Sequence, residues 1–302
     1  MRYGYLHLDV FADHAFSGNQ LAVFPDAVGL HADQMQQIAA EMAFSETSFV
    51  FPAESSNTDV RVRIFTPGRE LPMAGHPTIG TAFALAHEQR ITPERDRVTI
   101  GLGVGPTEVA LEWGESALRF AWMTQSEPTF GLMPEDVSQL APALGIRQED
   151  IRGSRLPVQE VSSGVPFLFV PMASRDTVNR ASVDRAALRA FFDSCGLPER
   201  PVFVFSLEQG DDDATVFSRM FAPVFGIPED PATGGAGGPL GAYLLRHGAV
   251  DAERAFRMVN LQGVAMGRPS RIVISVHFEN GRITGVQVGG TSVVVGAGFL
   301  EV

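Results

Sequence analysis

Three titratable side chains stand where their chemistry would differ from that of a solvated surface group. Glu46 lies in FSETSF, between a predicted helix that ends near Phe44 and a predicted strand that starts near Thr47. Phe44 and Phe49 flank it in the chain. A carboxyl partly desolvated beside aromatic rings is pushed towards its neutral form, which suits a proton shuttle at neutral pH. A glutamate at such a turn also serves simply as a cap or a surface ion-pair partner. His76 occupies the Gly-His-Pro turn of AGHPTIG, where an imidazole beside the amides of a helix start can bind or protonate an anion. The alternative is a solvated or capping histidine. Asp230 sits in GIPEDPATGGAGG, where it would either meet a ligand or support the turn before Pro231. The other histidines, at 7, 14, 31, 87, 247 and 277, form neither His-x-His nor His-Glu-x-x-His, so no metal site is expected.

The elements that must carry these residues follow from periodicity. Alternating or β-branched runs predict strands at 5–11, 20–24, 47–51, 59–65, 107–113 and 117–123, then at 158–162, 166–171, 201–206, 214–222, 271–278, 283–288 and 291–299. Helices are predicted at 33–44, 78–89, 183–193 and 238–247. A repeat organises this list. RIFTP at 63–67 returns as RMFAP at 219–223, ELPMAG at 70–75 as EDPATG at 229–234, and the apolar run IGTAFAL at 79–85 as LGAYLL at 240–245. Two similar lobes are therefore expected, 1–124 with 290–302 and 125–289, joined through the turn-rich TQSEPTFGLMPED at 124–136. Each would offer a helix N-terminus, and two such ends facing a cleft would suit an anionic group.

Composition removes whole classes of chemistry. The 302 residues carry 23 bases against 35 acids, a net charge of −12, which repels phosphate backbones, so no nucleic-acid partner is expected. All 23 bases are arginine, and without an ε-amine there is no Schiff base, Walker A lysine or kinase lysine. Cys195 is the only cysteine, excluding an intrachain disulfide and any mechanism that needs two thiols. The glycines at 234–238 and GLGVG at 101–105 lack dinucleotide-loop spacing, and Gly-x-Ser-x-Gly is absent. MRYGYLHLDVF reads as a first strand and not a signal peptide, and the longest uncharged stretches, 161–174 and 285–300, are too short for a membrane span. A cytoplasmic protein without membrane contact is expected.

Taken together, DVFADHAFSGNQLAVF at 9–24, EMAFSETSFV at 41–50, RIFTPGRELPMAGHPTIGTAFAL at 63–85, SRMFAPVFGIPEDPATGGAGGPLGAYL at 218–244 and LQGVAMGRPSRI at 261–272 resemble the PhzF-like family of phenazine-biosynthesis isomerases. The resemblance implies an α+β fold of the diaminopimelate epimerase type: two pseudo-symmetric lobes, each a small β-barrel around a central helix, with the last strand returning to the first lobe. It implies a homodimer, no cofactor and a small anionic substrate, with Glu46 as the acid/base that moves a proton between carbons. His76 and Asp230 would orient substrate or assist transfer, and Ser45, Asn19, Gly75 and Gly234 would line the pocket. Gly235 stands where the family has a serine, and Gln20 where it has a proline. The first difference leaves two readings open, a cofactor-independent isomerase acting on a small cyclic carboxylate and a non-catalytic small-anion- or partner-binding protein on the same fold.

Overall fold

Alternating apolar residues bury one side of most extended segments, and the result is a set of sheets wrapped on helices. A computed structural model describes all 302 residues, Met1–Val302, and they divide into two units, 1–125 with 287–302 and 126–286. The first unit contains β1 (Arg2–Val10), β2 (Asn19–Phe24), α1 (Ala32–Met42), β3 (Glu46–Pro52), β4 (Val60–Phe65), β5 (Glu70–Leu71), α2 (Gly75–His87), β6 (Arg97–Leu102), β7 (Gly105–Trp113) and β8 (Leu118–Gln125). β1 and β2 are antiparallel, β2 and β3 parallel, β3 and β4 antiparallel, and β4 and β6 parallel.

The second unit contains β9 (Thr129–Phe130), α3 (Leu140–Ala143), α4 (Gln148–Arg152), β10 (Gln159–Ser162), β11 (Pro166–Pro171), α5 (Arg175–Arg180), α6 (Arg185–Ser194), β12 (Val202–Ser206), β13 (Val216–Ala222), β14 (Ile227–Asp230), α7 (Gly234–Arg246), α8 (Ala252–Ala255), β15 (Met258–Gln262) and β16 (Ser270–Glu279). Its pairings repeat those of the first: β10 with β11 antiparallel, β11 with β12 parallel, β12 with β13 antiparallel, and β13 with β15 parallel. β17 (Arg282–Gly290) then leads to β18 (Ser292–Glu301), which returns to the first unit and pairs antiparallel with β1. The repeat seen in the sequence is thus a repeat of strand order.

One helix in each unit is apolar on nearly every side, the mark of a helix enclosed by other elements. α2 buries Ile79, Ala82, Phe83 and Leu85 against β1, β2, β3, β7, β8 and β18, and α7 buries Leu240, Ala242, Tyr243 and Leu244 against β10, β11 and β16. Glycine lets both helices approach closely. A Cβ at Gly80 would lie 2.5 Å from Leu21 Cδ2, and one at Gly241 would lie 2.7 Å from Ile274 Cγ2. The other face of β3 packs on α1 through stacked Phe24 and Phe49, ring centroids 5.0 Å apart, with Phe65 edge-on to Phe49. No helix is long and apolar enough to cross a membrane.

Both central helices begin earlier than periodicity predicts, at Gly75 instead of 78 and at Gly234 instead of 238. Pro77 falls in the first turn, where its missing N–H has no intrahelical partner to lose. The glycines at 234–238 are helical because burial outweighs their poor propensity. Five strands were also not predicted, β5, β6, β9, β14 and β15, and of these β6 and β15 hold the same place in the two units.

Candidate active site

Chain direction brings four of the expected residues together in the first unit. α1 ends at Met42, and its C-cap Ala43, with left-handed backbone (φ 54°), turns the chain through Phe44 and Ser45 into β3. Glu46 is the first residue of that strand, opposite Leu21 of β2, and Asn19 is the first residue of β2. His76, the second residue of α2, is 4% exposed and places Nε2 3.4 Å from Glu46 Oε2. Asn19, also buried, joins the remaining parts: its Oδ1 accepts from Ser45 Oγ at 2.9 Å, and its Nδ2 lies 3.3 Å from His76 Nδ1. Ser45, Asn19 and His76 thus form a hydrogen-bonded chain beside the buried Gly75, and it ends 3.4 Å from the Glu46 carboxyl. Phe44 stacks on His7, centroids 4.7 Å apart, bracing the turn that carries Ser45 and Glu46.

Phe49 does not flank Glu46 in space. Strand alternation sends a residue three positions away to the opposite face, and Phe49 joins the α1 core instead. Glu46 is nonetheless buried, 9% exposed, with His76 of α2 beside its carboxyl.

Burial also decides the state of the histidine. Removing His76 from water pushes its pKa from 6.5 down to about 3, and a hydrogen bond with the Gln20 backbone opposes this without cancelling it. The ring is therefore neutral at pH 7, and its contact with Glu46 is not an ion pair.

In the second unit Asp230 ends β14 and is 6% exposed. Thr233 Oγ1 donates to its Oδ2 at 2.6 Å, and this commitment explains why Thr233, the N-cap of α7, makes no side-chain cap. Gly234 and Gly235 form the first turn of α7. A Cβ at Gly235 would meet only Phe167 Cζ, at 3.9 Å, so the backbone tolerates the serine that the resemblance leads one to expect there. Thr233 was not singled out from sequence, although it lies inside the Ala-Thr-Gly-Gly motif.

Comparison with known proteins now adds to the geometry. Residues 8–298 match the family described as phenazine biosynthesis-like protein, PhzC-PhzF. The chain is 35% identical over 297 residues to the trans-2,3-dihydro-3-hydroxyanthranilate isomerase of Pseudomonas aeruginosa, covering 98% of this chain and 97% of that one. It is 36% identical over 297 residues to the protein of the same name from Pseudomonas chlororaphis, covering 98% of each. Among solved structures, the Bacillus anthracis phenazine biosynthesis protein of the PhzF family superimposes with a TM-score of 0.89 at 28% identity over 100% of both chains. Fold and relatives together define an isomerase on the diaminopimelate epimerase-type fold. The chain belongs to the phenazine biosynthesis-like PhzC-PhzF family.

Proposed function

We propose that this isomerase moves a proton between carbons of a small cyclic carboxylate without a cofactor, with Glu46 as the acid/base. The observation that carries the reading is the buried Glu46 carboxyl 3.4 Å from an uncharged imidazole. Burial keeps the imidazole unprotonated near neutral pH, and the reading therefore gives the moving proton to the carboxyl. His76 then acts as a neutral hydrogen-bonding partner that orients the carboxyl or the substrate, and Asn19 with Ser45 fixes the imidazole plane. Asp230 is assigned to substrate contact. The relatives' name, trans-2,3-dihydro-3-hydroxyanthranilate isomerase, supplies the first substrate to try.

The test is conversion of that compound in D₂O followed by proton NMR, with Glu46→Gln alongside. Positioned acid/base groups typically contribute 10² to 10⁴ in rate, so the variant should lose about that factor in kcat together with solvent deuterium incorporation. Full turnover by Glu46→Gln would overturn the assignment.

A further inference from the structure

The two copies of the repeated loop share a strand register, Leu71 opposite Ile64 and Asp230 opposite Met220, and a glycine close to the loop's proline, but carry different side chains. Gly103, after β6, is pressed against the proline of its loop, where an added Cβ would lie 2.8 Å from Pro72 Cα. Gly263, after β15, stands at φ +75°, and its added Cβ would lie 2.3 Å from the Arg268 carbonyl oxygen and 2.6 Å from that of the loop proline Pro231. This common contact aligns Leu102 with Gln262, and the repeat already aligns Leu71 with Asp230 and Ala74 with Thr233. The first unit therefore builds this loop with Leu, Ala and Leu, whereas the second uses Asp, Thr and Gln. The fold itself does not require a polar trio here.

The trio is fully engaged. Gln262 is 0% exposed, and its Nε2 donates to the Asp230 carbonyl oxygen at 2.7 Å and to Thr233 Oγ1 at 2.9 Å. Its Oε1 accepts from the Thr233 amide at 3.1 Å. With its acceptor role filled by Gln262, the Thr233 hydroxyl turns its one proton to Asp230 Oδ2. A buried amide costs free energy unless it is hydrogen-bonded, and Gln262 is bonded only to the stretch that presents Asp230. We propose that Gln262 and Thr233 are positioning residues for Asp230: Gln262 fixes the loop and orients the Thr233 hydroxyl, and that hydroxyl holds the carboxyl in one rotamer and favours its ionised form. The inference rests on the reading of Asp230 as a substrate-contacting group.

Two measurements test it separately. The first needs no substrate: carboxyl ¹³C NMR titration of Asp230 in the full chain, assigned with Asp230→Asn. Loss of a hydrogen bond to the ionised form raises a carboxyl pKa. Thr233→Val should therefore raise the Asp230 midpoint by about one unit or more, Gln262→Leu should raise it in the same direction, and Thr233→Ser should keep the wild-type midpoint. The second measurement is kcat and KM on trans-2,3-dihydro-3-hydroxyanthranilate across pH, where Thr233→Val should lower kcat/KM at least tenfold and move the acidic limb with the NMR midpoint. An unchanged Asp230 midpoint in Thr233→Val overturns the proposal even if Gln262→Leu fails to fold. A shifted midpoint in a wild-type background that converts no substrate would sink the functional reading and leave the positioning role standing.

Discussion

Burying a neutral histidine makes the first unit sensitive to acid in a way that one substitution should remove. His76 has a folded pKa of about 3 against 6.5 when exposed. Below pH 6.5 the unfolded chain therefore binds a proton that the folded chain refuses, and stability falls as pH falls. The stabilisation is fully present above pH 6.5 and is lost progressively down to about pH 3. At roughly 1.4 kcal/mol per unit, the whole window amounts to about 5 kcal/mol, of which about 2.5 kcal/mol is lost between pH 7 and pH 4.5. His76→Gln keeps a neutral hydrogen-bonding side chain and removes the titration. Both tryptophans, Trp113 and Trp122, lie in the first unit, so urea unfolding followed by their fluorescence reads the unit that contains His76. The wild type should lose about 2.5 kcal/mol more than His76→Gln between these pH values, whatever the variant costs at pH 7. Equal losses in the two proteins would refute the claim that His76 is buried uncharged, and with it the reason for placing proton transfer on Glu46.

Three glycines give further tests. Gly235→Ser adds a side chain where nothing but Phe167 stands within 4 Å. It should fold with a gain of about 0.5 kcal/mol from helix propensity in a thermal melt; if the added hydroxyl meets an anionic substrate, kcat/KM should rise about 10-fold or more. Gly263→Ala meets the Arg268 carbonyl oxygen at 2.3 Å with φ at +75° and should cost about 2–5 kcal/mol in denaturant unfolding followed by circular dichroism. Gly267→Ala, at φ +69° with open space around it, should cost only about 1–2 kcal/mol.

Much of this was legible in the sequence, because strand alternation is local and the motif repeat survives in RIFTP and RMFAP. What stayed hidden depends on distant partners. β6 and β15 are short segments whose parallel partners, β4 and β13, lie some 40 residues earlier, and nothing in RVTIGL or MVNLQ announces that pairing. The starts of α2 and α7 were misplaced because glycine and proline read as breakers until their burial is known. In the site, residue types pointed to Glu46, His76 and Asp230, and the resemblance supplied Ser45 and Asn19. That His76 meets Glu46 follows from β3 running parallel to β2 with α2 packed on both, which no spacing of 30 residues reveals. Gln262 carried no signal at all, since a glutamine at a strand end is unremarkable until its three hydrogen bonds are seen.

The differences between the copies bear on how the chemistry is divided. Where α2 has His76 as its second residue, α7 has Gly235, and where the second unit has Asp230, Thr233 and Gln262, the first has Leu71, Ala74 and Leu102. Neither unit therefore duplicates the other's polar groups. A symmetric two-base mechanism would call for the same titratable residue at matching places in both copies, and the single Cys195, in the second unit at the C-cap of α6, cannot supply a matched thiol pair. What the first copy offers is one carboxyl beside an imidazole that stays neutral at pH 7; what the second offers is one carboxyl already held by a hydroxyl. A carboxyl engaged by a donor is biased towards remaining ionised and gives up its freedom to accept a proton, which fits contact with substrate. The proposed assignment of the moving proton to Glu46 rests on this asymmetry between the copies.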